Sequence, residues 1–120
     1  MSVRMEKVAS LIREEVSTLF AREFNDSSYG FMTVTDVRMT ADLKIARVYV
    51  SVMGNVNTRE QSMKRLEEHK PAIRHNVGAH LRLKFTPEIH FYLDDTMDRV
   101  ERIEMLIKEI HKPRTTDENG

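Results

Sequence analysis

Two β-rich segments separated by three residues constrain this chain more than any other feature. Phe31–Met39 and Leu43–Met53 are rich in Val, Thr and Tyr, and only Thr40, Ala41 and Asp42 lie between them. Strands joined this closely must pair antiparallel, because a parallel pair needs a crossover of about a dozen residues or more. In the second segment Ala46, Val48, Val50 and Val52 share one face. Lys44, Arg47, Tyr49 and Ser51 point elsewhere, and Ile45 breaks the alternation. The pattern predicts a sheet with one face on a core and the other partly open.

The flanking periodicities supply the other layer. Val8, Leu11, Ile12, Val16, Leu19 and Phe20 recur at helical spacing, which predicts a helix over Arg4–Phe24. Asn25–Gly30 is turn chemistry. Thr58 with Gln61 matches a capping box and predicts the start of a second helix. Pro71 predicts a break or kink near His69, Lys70 and Pro71, since proline cannot donate a helical hydrogen bond. A further helix then runs to about Leu81, with Ile73, Val77 and Leu81 on one face. Glu88–Leu93 alternates and reads as a third strand. Asp95, as cap, and Asp98, in the first turn, favour a last helix carrying Met97, Val100, Ile103, Leu106, Ile107 and Ile110. That apolar face predicts a place in the core for most of its residues, and most of the eight methionines are expected there too. The class is α+β, in the order α-β-β-α-kink-α-β-α, with a three-stranded sheet and its helices on one face. This is the order of a KH-like domain of the type II arrangement. Residues 1–111 are expected to form that one domain, and 112–120 a disordered tail.

The 120 residues suffice for one core without staples, and the absence of cysteine excludes disulfides and thiolate metal sites. No apolar run reaches membrane-spanning length, and the N-terminus lacks the apolar region of a signal peptide. A soluble, cytoplasmic protein is expected. Net charge is zero, so distribution has to carry the functional argument. From His69 to Pro87 there are four Lys or Arg, three His and no carboxylate, whereas the residues from Asp94 onward carry five basic and eight acidic side chains. A basic centre of this kind fits phosphate contacts, which give affinity and register without reading sequence.

Two stretches then resemble the ribosome-binding factor A family. They are GFMTVTDVRMTADLKIARVYVSV from Gly30 to Val52 and LRLKFTPEIHFYLDDTMDRVERIEMLI from Leu81 to Ile107. The Leu81–Lys84 segment, Pro87–Glu88, the Asp94–Asp95 turn and Arg102–Ile103 look like the family signature. The resemblance implies a KH-like fold, binding to free small (30S) ribosomal subunits, late maturation of 16S rRNA, and a role in growth at low temperature. Where the family usually places an Ala-x-Gly kink, this chain has His69, Lys70 and Pro71, so proline is expected to make the kink. Arg99–Glu101 is bulkier and more charged than the family's usual small residues.

The chain has no Gly-x-x-Gly pair, so the backbone clamp of a classical KH domain is absent and charge is left to bind RNA. The candidates are Lys70, Arg74, Arg82 and Lys84 in the centre, Arg4, Lys7 and Arg13 on the first helix, and Lys44 and Arg47 on the second strand. Ordinary solvated charge is the plain competing explanation. The five histidines lack metal-ligand spacing, so no metal or other cofactor is expected; surface exposure or hydrogen bonding to RNA explains them better. Glu14–Glu15 and Asp94–Asp95 are explained by a polar helix face and a cap, and no nucleophile–base pair is evident, so no enzyme and no small-molecule substrate is expected. A monomer is expected. The alternative is a KH-like protein–protein adaptor with little RNA binding, which would have no use for an acid-free basic window.

Overall fold

The hairpin is present in the computed structural model, which describes residues 3–24 and 31–111, apart from the side chains of 97, 98 and 111. The expected turn at Asn25–Gly30 and the tail from Lys112 to Gly120 lie outside the described residues. Strand β1 (Met32–Met39) pairs antiparallel with β2 (Ile45–Val52). The register shifts between Val34 and Asp36, so Thr35 is the extra residue of a bulge. The bulge explains a spacing that strict alternation cannot. Val34 and Val37 are three apart, yet they lie opposite Val50 and Val48 and both are buried.

Strand β3 (Glu88–Leu93) has the predicted bounds and pairs parallel with β2, giving the order β1-β2-β3. A parallel neighbour requires a crossover. Two helices supply it, α2 (Val56–Glu68) and α3 (Lys70–Leu81). Together with α1 (Val3–Glu23) they cover one sheet face. Ala46, Val48 and Val50 of β2, Ile89 of β3, Ile12 and Val16 of α1, Leu66 of α2 and Ile73 and Val77 of α3 are all nearly inaccessible. Burying a side chain of this kind is worth about 1.5–3 kcal/mol. His80 of α3 also reaches Glu15 of α1, with Nδ1 2.7 Å from Oε2. No helix of the described residues is long and apolar enough to cross a membrane.

Several local expectations are corrected. The cap of α2 is Asn55, whose side chain accepts the Thr58 N–H at 2.8 Å, so Thr58 lies inside the first turn instead of at the cap. The interruption falls at His69 (φ −95°, ψ 3°), inside the expected stretch His69–Pro71, and Pro71 sits in the first turn of α3, where a missing N–H costs nothing. His69 is exposed, with its Nδ1 2.8 Å from the Arg65 carbonyl and its ring edge-on to Phe24 at 5.4 Å. Replacing Pro71 by Ala is therefore expected to move the melting temperature by less than about 5 °C, on a scale of roughly 4–8 °C per kcal/mol. A loss beyond about 10 °C in a thermal melt would mean that proline itself holds the two helices together.

The last helix, α4 (Thr96–His111), departs most from expectation. Its apolar stripe is periodic, but Val100, Ile103, Leu106, Ile107 and Ile110 are all exposed. The physical reason is that α1, α2 and α3 already cover the sheet face that could have received it. Met105 and, in the loop before α2, Met53 are also exposed, whereas Met32 and Met39 are buried; Met97 lies outside the described side chains. Leu93 is in step with the buried Ile89 and Phe91 of β3 but is exposed at the end of the strand.

Asp94 joins α4 to the sheet. Asp95 occupies the cap position, its carbonyl accepting the Arg99 N–H at 3.0 Å, but its side chain pairs with Arg99 at 2.8 Å. The Asp94 carboxylate instead accepts from the Thr96 N–H at 3.0 Å, from the Thr96 hydroxyl, and from the Thr35 hydroxyl at 2.7 Å. Hydrogen bonds from the Thr96 side chain, the Thr35 side chain and the Thr96 backbone, in that order, hold its pKa below the usual carboxylate value. Stability from a depressed carboxyl is fully present above its unfolded pKa, about 3.9, and is lost as pH falls through the folded value. Acidification below about pH 4 should therefore lower the melting temperature of the parent more than that of Asp94→Asn. Parallel melting curves for the two would mean that this carboxylate contributes nothing to acid unfolding.

Candidate nucleic-acid interface

Two left-handed, non-glycine residues shape the basic side of the molecule. Leu43 (φ 62°) ends the β1–β2 turn and Arg82 (φ 52°, ψ 40°) ends α3. Each such conformation costs an L-residue about 1–2 kcal/mol unless its surroundings hold it. At Leu43 the turn is closed by its N–H donating to the Thr40 carbonyl at 2.9 Å, and its side chain packs partly against the core. The Asp42 carboxylate accepts the next N–H, that of Lys44, at 3.1 Å, and the Thr40 hydroxyl at 2.7 Å. The Thr40 hydroxyl, then the Lys44 N–H, hold Asp42 below its ordinary pKa. At Arg82 the chain leaves α3, its N–H donating to the Gly78 carbonyl at 3.2 Å, and enters the segment 82–87.

That segment is clasped back onto α3. Arg74 Nε donates to the Pro87 carbonyl at 3.2 Å, and Nη2 donates to the Thr86 carbonyl at 2.9 Å. A guanidinium holds its donors in a fixed fork that suits two adjacent carbonyls, whereas an ammonium is a point charge on a flexible stem. Gly78 makes room for the same contact, since a Cβ there would overlap Thr86 Oγ1.

The result is a cleft of about 730 Å³ between α1, the β1–β2 turn, α3 and segment 82–87. Arg4, Lys44, Arg74 and Lys84 line it, against two carboxylates, Asp42 and Glu88. Asp42 is committed to its turn, and Glu88 lies 3.3 Å from His90 Nε2. Arg74 is committed to the clasp, so its charge contributes to the field of the cleft while its N–H groups serve the fold. Arg4, Lys44 and Lys84 are exposed and form no ion pair among the described residues. Phe85 stands on the rim, 78% exposed, with Lys84 Nζ 5.7 Å from its ring centroid.

The remaining candidates lie elsewhere. Lys70 pairs with Glu67 at 3.0 Å, at the opposite end of α3 from segment 82–87. Arg82 is exposed but does not line the cleft, and neither does Lys7. Arg13 lies in a separate groove with Glu6, Asp36 and Arg38, where carboxylates match cations in number. Arg47 is on the open sheet face, paired in register with Arg38 and His90. Tyr49 and Tyr92 stack on that face at 5.4 Å, and Arg38 lies over Tyr49 at 5.8 Å while bonding Asp36 at 3.0 Å. Phe85 and Arg38 had no place among the sequence candidates. The signal for Phe85 was its position beside Lys84 in the acid-free window.

These features define a small α+β domain with a cation-lined cleft beside its sheet. The family model for ribosome-binding factor A matches residues 4–107, and the chain belongs to that family. It is 36% identical over 112 residues to ribosome-binding factor A of Staphylococcus saprophyticus, covering 93% of this chain and 98% of that one. Its fold is similar to the crystal structure of ribosome-binding factor A from Thermus thermophilus, with a TM-score of 0.64 at 16% identity, over 74% of this chain and 94% of that one. It is also similar to the solution structure of a Thermotoga maritima protein described as a putative ribosome binding factor A. There the TM-score is 0.54 at 28% identity, over 73% and 80% of the two chains. A Thermus thermophilus ribosome binding factor A homology model, fitted into a cryo-EM map of a 30S complex, matches with a TM-score of 0.59 at 18% identity, over 79% and 96%.

Proposed function

We propose that this chain binds free small ribosomal subunits through the cleft and assists late maturation of their 16S rRNA, in the cytoplasm and with particular importance at low temperature. It acts by binding, as a monomer, and catalyses no step. The observation that carries this reading is the convergence of Arg4, Lys44 and Lys84 from three separate segments onto one cleft. Cations that form no ion pair among the described residues, gathered on one side, are what phosphate contacts require. Membership of the ribosome-binding factor A family and the 30S complex of the Thermus relative support the choice of partner.

The test is sedimentation of a lysate at moderate salt, blotted for the protein. It should travel with free small subunits, and equal recovery with large subunits would count against the reading. Raising salt from about 50 to about 300 mM should weaken binding steeply, each phosphate contact contributing about 0.7–0.9 to the log–log slope. The exposed stripe of α4 favours a second reading, a protein–protein adaptor. A flat salt response would support the adaptor instead.

A further inference from the structure

We infer that Phe85 is a stacking platform for one unpaired nucleobase of the bound RNA, with the neighbouring phosphates held by Lys84, Lys44 and Arg4. This rests on the RNA-binding reading above and adds to it the chemical form of the ligand. A phosphate interface alone needs no aromatic residue. Here a ring that is 78% exposed stands on the rim of the cleft, where burial cannot explain it. Phe85 also borders a second concavity, formed with Pro71, Arg74, His75 and Ala79 of α3. The ring is thus a ridge between two hollows, with space for a flat group beside it.

Its support is fixed. The Arg74 clasp holds the carbonyls of Thr86 and Pro87, and the Arg82 backbone sets the other end of the segment. Lys84 Nζ already lies near the ring at 5.7 Å, so a cation and an aromatic surface are presented together. A nucleotide offers the complement of both, a π-face and an anionic phosphate. A base within a duplex has its faces covered by its neighbours, so the site selects unpaired nucleotides. Every base has a π-face, so the site is tolerant of sequence.

The test uses the full chain carrying Phe85→Ala, Phe85→Leu or Phe85→Trp. The probes are a single-stranded oligoribonucleotide of mixed sequence, the matching RNA duplex, and free small subunits. Phe85→Ala and Phe85→Leu should both weaken single-strand binding by about tenfold, leave duplex binding unchanged and leave the salt slope unchanged. Because the chain has no tryptophan of its own, Phe85→Trp reports the contact directly. It should bind like the parent, and its fluorescence should be quenched by the single strand and not by the duplex. Parent-like binding by Phe85→Leu would overturn the inference, since an apolar contact without stacking would then suffice, as for a protein partner. Equal losses on both RNAs would also overturn it, by assigning Phe85 to the shape of the segment. If Lys44→Glu with Lys84→Glu abolishes subunit binding while Phe85→Leu does not, the stack alone falls. If neither affects subunit binding, the cleft and the stack fall together.

Discussion

Reversing Lys44 and Lys84 together to Glu is expected to lower affinity for free small subunits by about 100-fold. A hydrogen bond involving a charged group is worth about 1.5–3 kcal/mol, and about 1.4 kcal/mol is tenfold in affinity. Two lost contacts therefore give at least two decades, and the new carboxylates add repulsion from phosphate. The fold should not notice. Both side chains are exposed and neither forms an ion pair among the described residues. Lys84 loses only its approach to the Phe85 ring, worth about 0.5–1 kcal/mol at an exposed site. The melting temperature should stay within about 5 °C of the parent. The slope of log affinity against log salt should fall by about 1.4–1.8, two phosphates' worth. Cosedimentation across a salt series, with a thermal melt on the same sample, measures all three. A folded variant that binds like the parent would move the interface to the Arg13 groove or to the open sheet face.

Gly78→Val should produce a large loss of stability. Glycine normally weakens a helix by about 1 kcal/mol relative to Ala, so a substitution in α3 ought to help. Here any side chain meets Thr86, which the Arg74 clasp holds against the helix. Overpacking costs about 1–3 kcal/mol, and opening the clasp forfeits two guanidinium hydrogen bonds as well. A fall of at least about 15 °C in melting temperature is expected, together with weaker subunit binding as segment 82–87 detaches. A sign reversal separates this from a general intolerance of Val. Gly78→Ala should destabilise the parent, but in a Thr86→Ala background, where Oγ1 is gone, the same change should be neutral or stabilising. Stabilisation in both backgrounds would mean that the close approach costs nothing.

How much of this was legible in the sequence depends on whether the signal was local. Alternation placed β3 correctly, since Glu88, Ile89, His90 and Phe91 differ enough in polarity to show a period of two. The hairpin followed from its short link, although the bulge at Thr35 did not, because an extra residue in one strand leaves no mark except a skipped alternation. Asn55 and Thr58 are both good caps, and the capping-box pattern pointed to the one a turn too late. The stripe of α4 has the period of a buried helix, but periodicity cannot reveal that α1, α2 and α3 already occupy the apolar face of the sheet. The basic residues show the same limit. Lys44 and Lys84 look no different in sequence from Lys70, yet among the described residues only Lys70 of the three forms an ion pair, with Glu67. Arg74 was recognisable as a cation; its attachment to two carbonyls a dozen residues away was not.

The parallel pairing of β2 with β3 has a consequence for the order in which the molecule assembles. The β1–β2 turn spans a few residues, and hairpins of this type close in about 1–10 μs. Strand β3 can dock on β2 only after the whole of α2 and α3 has been looped out, and the entropy of closing a loop grows with its length. Segment 82–87 is seated when β3 docks and Arg74 closes over its carbonyls. One wall of the cleft is therefore laid down early with the hairpin and the other late, so a partly folded chain exposes Lys44 without Lys84 and Phe85 opposite it. The complete cleft exists only in the finished fold, and an intermediate that lacks β3 presents no assembled surface with which to occupy a binding site.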